Sequence, residues 1–374
     1  MSTELDDRAR FAFELISTYS PSGEEEGVSR LLVERLSSKG LKVGVDSVGN
    51  VISEVGDGDY TVLLCGHMDT VAGWVEPRLE GGVVYGRGAV DAKGALLSLA
   101  YAFEDYAHSL EREKGFENRL RVVFAGVVQE EGDSRGIKRL IRDGLKAHAA
   151  VFGEPSGVNR LAVGYRGHVP FKASFETPEA HASAPWLTAN SAEVAYEFYQ
   201  KLKSAWRCES ERMVECVSVA LTGINTFTQH NVIPGRTVLN LDIRVPVGVT
   251  TTDVLNTVKR ILSEYTTDNN GDVRVNYEFG EVTEPYKVDL TSKIVRSFTR
   301  TMIKEGVGRP EFLVKSGTGD MNTYSQAFNT ECVSYGPGDP RLSHTLREKV
   351  ELRDMLHCSK IVHDALLEYA TLLG

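Results

Sequence analysis

Cysteine is scarce and scattered in this chain: five residues among 374, an odd number, with no C-x-x-C pair. Such a set fits reduced cytosolic thiols better than a disulfide framework. Long apolar runs are missing as well. None approaches the ~18–20 residues that span a bilayer. The N-terminus, MSTELDDRAR, has neither the basic nor the apolar region of a secretory signal. Positive charge is in deficit, with 42 Lys and Arg against 52 Asp and Glu, a net charge of −10. That balance argues against general binding to nucleic acid or to an anionic membrane. No internal repeat, low-complexity tract or long linker is present. What is there, 41% hydrophobic and 25% charged residues, is the composition of a soluble globular protein with room for two cores.

Apolar runs and helical stretches alternate through the first part. Helices are expected over residues 5–18, 24–38 and 95–107, the second capped by Ser20-Pro21-Ser22-Gly23-Glu24-Glu25. Strands are expected at 42–45, 50–55, 61–65, 120–128 and 149–152. The run at 120–128 is nearly all apolar and predicts a strand buried on both faces. This order predicts an α/β domain with a mostly parallel sheet. Between residues 161 and 281 the order becomes β-α-β-β-α-β, a ferredoxin-like α+β arrangement inserted into the first domain. The α/β pattern resumes over 282–374, so residues 1–160 and 282–374 form one domain and 161–281 the other.

Polar residues follow the buried strands at one place after another. His67 and Asp69 close CGHMDT; Glu130 and Glu131 follow the 120–128 run; Glu154 follows Val151-Phe152 in FGEPS; His344 lies in GPGDPRLSHT. Asp91 sits in GRGAVDAKG before a helix. Taken singly each has an ordinary reading: a packed core histidine, a solvated acidic pair, a turn aspartate. Their joint occurrence at successive strand ends does not. In open α/β sheets, ligands bind outside the carboxyl ends of the strands. Imidazole and carboxylate donors without thiolates suit zinc, cobalt or manganese. His67, Asp91, Glu131, Glu154 and His344 are too many for one tetrahedral ion and suit two ions bridged by one carboxylate. The Glu130-Glu131 pair repels itself unless a cation neutralises it. One member can ligate while Glu130 stays free as a general base. At spacing i, i+2, Asp69 can orient the His67 ring.

GHMDTV, GRGAVDAKG, the Glu-Glu pair, GEPS and the late SHT resemble the dinuclear zinc metallopeptidases and deacylases, a family that includes acetylornithine deacetylase, succinyl-diaminopimelate desuccinylase and glutamate carboxypeptidase. The resemblance spans essentially the whole chain. It implies a catalytic domain of the zinc-exopeptidase type and a lid or dimerisation domain. It implies two divalent ions, zinc or alternatively cobalt. His67 and Glu154 would hold one ion, Glu131 and His344 the other, with Asp91 bridging, Glu130 the base and Asp69 behind His67. It also implies a homodimer, in which His181 (EAHASAP) and Asn231 (HNVIPG) polarise the scissile carbonyl, the histidine coming from the partner subunit. Arg244 either pairs with Asp242 or binds a substrate carboxylate. Ser316, Gly317, Thr318 and Gly319 look like the family's substrate-binding glycine loop, whose backbone N–H groups can hold an anion. The loop lacks the G-K-[ST] of a phosphate-binding P-loop. His108, His148, His357 and His363 read as surface or packing residues in helical stretches.

Finer features, EEGDSRG, AVGYRG, KSGTGDMN and YGPGD, are similar to one branch: hydrolases that release lysine or ornithine from the γ-carboxyl of the C-terminal glutamate of a small acidic amino-group carrier protein, in lysine and arginine biosynthesis. Arg160, Arg166, His168 and Lys172 offer a local basic cluster for such a carrier, or are ordinary solvated charges. The alternatives are a deacylase of small N-acyl amino acids, a broad metallo-exopeptidase, and a catalytically silent binding protein of the same fold.

Overall fold

The computed structural model describes residues 3–112, 119–267 and 272–374. Two compact units emerge. The first comprises Met1–Gly164, Val288–Leu313 and Gly319–Gly374; the second comprises Tyr165–Lys287 and Val314–Thr318.

The first unit is built on a mostly parallel sheet. Leu120–Val127, Tyr60–His67, Ala149–Gly153 and Glu331–Ser334 lie side by side in that order, all parallel. Val51–Val55 and then Val43–Val45 extend the sheet antiparallel beyond Leu120–Val127. Arg160–Tyr165 runs antiparallel beyond Glu331–Ser334. The parallel strands read as continuous apolar runs because helices cover them. Val62, Leu63, Leu64, Val122, Val123, Phe124 and Ala125 are all fully buried. The Lys93–Arg112 helix packs on the Tyr60–His67 strand and against the C-terminal helix Leu352–Leu372, which also takes Lys293–Lys304. A small antiparallel sheet joins Arg78–Glu80, Val83–Tyr85 and Lys349–Glu351.

The second unit is a four-stranded antiparallel sheet in the order Ser218–Phe227, Arg236–Val245, Gly167–Glu176, Arg274–Phe279. With helices Ser191–Ser204 and Thr251–Thr267 between strands, this is the ferredoxin-like order expected. Alternation sets its inner face: Val169, Phe171, Ala173 and Phe175 are buried with Phe198, Leu202, Val258 and Ile261 from the two helices, while Lys172 is exposed.

Three local expectations change. Helices Arg135–Arg142 and Asp320–Phe328 and strand Arg160–Tyr165 lie where the sequence reads as loop or motif. Each is short, so its periodicity carries little signal. Cys208 and Cys216 form a disulfide, their Cα atoms 5.4 Å apart across the Met213–Glu215 turn; Cys65, Cys332 and Cys358 are free and buried. The thiols are thus not all reduced. His148 lies outside the helices and accepts the Thr61 N–H at Nδ1, 3.0 Å away. Among the described residues, no helix is long and apolar enough to cross a membrane.

The helix Lys93–Arg112 presses its first turn onto the carboxyl edge of the sheet. A Cβ on Gly336 would sit 2.5 Å from the Ala95 Cβ and 2.9 Å from the Glu154 carbonyl oxygen. Neither neighbour is a flexible side-chain end. Gly336→Ala is therefore expected to destabilise the protein by about 1–3 kcal/mol, measured by denaturant unfolding. An unchanged midpoint would show that this contact yields more readily than its distances indicate.

Candidate metal centre

The sheet delivers its polar residues to one edge. His67 is the last residue of its strand, and Glu154 follows Gly153 directly. After Leu120–Val127 the chain turns at Gln129, which has φ 56°, and presents Glu130 and Glu131. After Glu331–Ser334 it passes through the Pro340–Leu342 turn to His344, at φ 64°. Asp91 lies in the loop before helix Lys93–Arg112, and the Asp91–Ala92 peptide is cis.

These side chains converge as two overlapping groups: His67, Asp91 and Glu154, and Asp91, Glu131 and His344. Within each group the donor atoms lie within 4.8 Å of one another. Asp91 belongs to both. Its Oδ1 is 3.4 Å from His67 Nε2 and its Oδ2 is 3.4 Å from His344 Nε2. Glu154 Oε1 is 3.8 Å from His67 Nε2, and Glu131 Oε1 is 2.7 Å from His344 Nε2. His67 Nε2 is buried and makes no hydrogen bond. A buried imidazole nitrogen facing two carboxylates, beside a second such set, fits two divalent cations sharing Asp91. The donor set is nitrogen and oxygen only, as zinc, cobalt and manganese accept.

Asp69 ties the site together from behind and is fully buried. Its Oδ1 is 3.5 Å from His67 Nδ1, whose stronger partner is the Asp69 carbonyl oxygen at 2.9 Å. Its carboxylate also accepts the backbone N–H groups of Glu130 (3.0 Å) and Glu131 (3.1 Å) and the Ser22 hydroxyl (2.7 Å). The Asp69 carbonyl thus orients the imidazole while its carboxylate aims the acidic pair. Sequence reasoning missed the supports. The stretch from Ser20 to Glu25 reads as a helix cap, yet the helix starting at Glu26 has no side-chain cap. Glu25 turns instead to the N–H groups of Gly23 and Gln129, 2.8 and 3.1 Å away. Asn50 accepts the Val128 N–H at 3.1 Å and donates to the Gly136 carbonyl at 3.0 Å.

Electrostatics follow from crowding. Burial lowers the His67 pKa, but the facing carboxylates of Asp69 and Asp91, with Glu130 nearby, outweigh it and hold the imidazole well above its ordinary value. Burial, together with Glu154, Asp320 and Glu131, pushes Glu130 well above the usual carboxylate range, against the pull of His67. Burial also raises Glu131. The hydrogen bond to Asp91 lifts His344 to about 9. Asp320, which opens the Asp320–Phe328 helix, is buried with no hydrogen-bond partner on either oxygen, and burial pushes it up to about 8. Its position after SGTG reads as loop, which is why the sequence does not reveal it.

The other candidates lie in the second unit. His181 and Asn231 are exposed and belong to facing loops: His181 bridges Val232, and the Ala182 N–H donates to the Asn231 carbonyl at 2.8 Å. The Ser183 N–H donates to His181 Nδ1 at 3.1 Å, which leaves the neutral ring's proton on Nε2. Arg244 makes a two-point pair with Asp242, at 2.7 and 3.0 Å, and reaches the Thr318 hydroxyl at 3.3 Å. Ser316 and Gly317 are in the same loop, and the Gly317 Cβ position faces open space. Gly319, grouped with the first unit, donates its N–H to Asn322 Oδ1 at 3.1 Å.

Residues 63–368 match the profile of Peptidase family M20/M25/M40. The chain belongs to this family. It is a metal-dependent hydrolase, and M20 proteins known at the structural level share its fold. A tripeptidase from Staphylococcus aureus superposes with a TM-score of 0.83 at 18% identity, covering 98% of this chain and 99% of that one. A dinuclear metal-binding M20 peptidase from Bacillus subtilis superposes with a TM-score of 0.72 at 12% identity, covering 100% and 99%. Among curated M20 relatives, the [LysW]-lysine/[LysW]-ornithine hydrolase of Sulfurisphaera tokodaii is 32% identical over 344 residues, 91% of this chain and 90% of that protein. Its counterpart in Saccharolobus solfataricus is 31% identical over the same shares.

The Asp242–Arg244 pair gives a pH test within the second unit. Asp242 has its pKa lowered, first by the hydrogen bond from His168 and then by Arg244. A depressed pKa stabilises the fold above the unfolded value, near 3.9, and that stability is lost as pH falls below it. Asp242→Asn is expected to cost about 1–2 kcal/mol at pH 7 and to lose less stability than the unaltered chain on acidification to pH 3, by urea unfolding at each pH. Equal acid sensitivity would remove the pair as a contributor.

Proposed function

We propose that this M20 hydrolase holds two zinc ions and releases lysine, ornithine or both from the γ-carboxyl of the C-terminal glutamate of a small acidic carrier protein, in amino-acid biosynthesis in the cytoplasm. The observation that carries the chemistry is the division of Asp91 between two donor groups. The substrate reading is supported by relatives named for LysW-linked lysine and ornithine that align over nine-tenths of both chains.

In this reading His67, Glu154 and Asp91 would hold one ion, and Asp91, Glu131 and His344 would hold the second. When bound, two such ions would supply Lewis acidity for the scissile carbonyl and for a water molecule. Glu130 takes a proton from the attacking water and passes it to the leaving nitrogen, so the C–N bond breaks as the acyl carbon gains oxygen and a neutral amine departs. Burial and neighbouring carboxylates raise its pKa above the usual carboxylate range, and bound cations would act in the opposite direction. Asp69 keeps His67 oriented and fixes the Glu130 backbone. His181, donating from Nε2, and Asn231 polarise the carbonyl oxygen, His181 acting from the second copy of a homodimer. With Asp242 occupying Arg244, we assign Arg244 to holding Thr318 in the Ser316–Gly319 loop, whose backbone N–H groups would serve the substrate carboxylate.

Two measurements test this. Glu130→Gln is expected to keep both ions and lower kcat by about 10²–10⁴-fold; substantial residual turnover would remove Glu130 as the proton carrier. With metal-loaded protein, kcat/KM should strongly favour carrier-γ-glutamyl-lysine or -ornithine over N-acetyl-lysine and N-acetyl-ornithine. A preference for the small acyl amino acids would keep the dinuclear chemistry and overturn the carrier as substrate.

A further inference from the structure

Glu348 lies within a few residues of His344 and is neither a metal ligand nor a substrate group in the two-ion reading. It is nonetheless 1% exposed. Its placement begins with a strand register. Lys349–Glu351 pairs antiparallel with Val83–Tyr85, Lys349 facing Tyr85. One step further, the Gly86 N–H donates to the Glu348 carbonyl at 3.4 Å. The Glu348 side chain then enters the loop that carries Asp91. Its Oε2 accepts three backbone N–H groups, from Gly88 (2.9 Å), Val90 (3.2 Å) and Asp91 itself (3.4 Å). Several amides converging on one carboxylate oxygen fix a loop's path more tightly than packing alone.

The other oxygen, Oε1, pairs with Arg87, which is 6% exposed. Arg87 donates in turn to the Gly73 carbonyl at 3.0 Å and to the Thr345 carbonyl at 3.1 Å. Thr345 is the residue after His344, whose backbone is held at φ 64°, a left-handed conformation that a non-glycine residue keeps only when its surroundings impose it. One buried ion pair therefore grips both the loop that bears Asp91 and the loop that bears His344. A buried ion pair is a poor stability device, since apolar residues of similar volume often serve the fold as well. Its value here is geometric.

We propose that Glu348, acting with Arg87, is a positioning residue for the metal pair: it sets the Asp91 and His344 loops against each other and so governs affinity at the Asp91–Glu131–His344 site. The inference rests on the two-ion reading of the site. Outer partners of metal ligands typically tune affinity by 10–100-fold.

The test uses Glu348→Gln and the double variant Arg87→Leu/Glu348→Leu, which leaves no unpaired buried charge. Metal-free unfolding midpoints, zinc binding by chelator competition and the visible absorption of the cobalt-loaded protein are compared with the unaltered chain. The double variant is expected to fold with a lowered metal-free midpoint, because the loop N–H groups lose their acceptor, to bind one ion normally, and to bind the other about 10–100-fold more weakly, with an altered cobalt spectrum. Glu348→Gln should fall between, because its amide oxygen still accepts from the loop; if the double variant does not fold, Glu348→Gln decides by the same titration. Parent-like binding of both ions and an unchanged spectrum would overturn the positioning role. A lowered metal-free midpoint with normal metal binding would do the same and leave only a brace for the fold. Failure of the unaltered chain to bind two ions would overturn the reading beneath the proposal, an outcome seen before any variant is compared.

Discussion

The carboxyl groups of Asp69, Asp91, Glu130, Glu131, Glu154 and Asp320 repel one another at one edge of a largely apolar sheet. The rest of the structure is arranged around that constraint. Water screens them poorly, because Asp69 is fully buried, Asp320 nearly so, and the side chains of Asp91, Glu131 and Glu154 are only 13–16% exposed. Two imidazoles offset part of the charge and raise their own pKa values in doing so. Divalent cations would offset the remainder, release those protons and leave Glu130 as a carboxylate with a partner in reach. The same residues that are costly as an empty cluster are thus suited to chemistry as a filled one.

Geometry is imposed on this cluster from outside it. Parallel strands bring four chain segments to the same edge, and hydrogen bonds aim the Glu130–Glu131 segment and the Asp91 loop. Asp69 receives the amides of Glu130 and Glu131, Glu25 receives that of Gln129, and Glu348 receives those of the Asp91 loop. Buried acids accepting backbone N–H groups are the recurring device. They hold loops that carry no regular hydrogen bonding of their own.

Much of this is legible in the sequence because it depends on strand periodicity. The runs at 61–65, 120–128 and 149–152 are apolar enough to be strands covered on both faces, and the residues just beyond such strands in a parallel sheet lie at one edge. His67, Glu131 and Glu154 stand out on that ground, and Asp91 and His344 through the loop motifs GRGAVDAKG and GPGDPRLSHT; the donor atoms of all five converge in two overlapping groups. The ferredoxin-like order of the second unit is legible for the same reason: Val169, Phe171, Ala173 and Phe175 alternate cleanly. The supports are not legible. Ser22, Glu25 and Glu348 act through contacts separated by 47, 104 and 260 residues, and nothing in their local pattern distinguishes them from caps or surface acids. Asp320 hides behind a glycine loop. The Cys208–Cys216 bond is hidden in an odd count of cysteines.

The central claim is that Asp91 joins two metal ions. X-ray absorption at the metal edge on zinc- or cobalt-loaded protein reads this directly. The account predicts nitrogen and oxygen neighbours only, two ions per chain and a metal–metal vector of about 3.5–4 Å. A single ion per chain, or two ions without that vector, would contradict it.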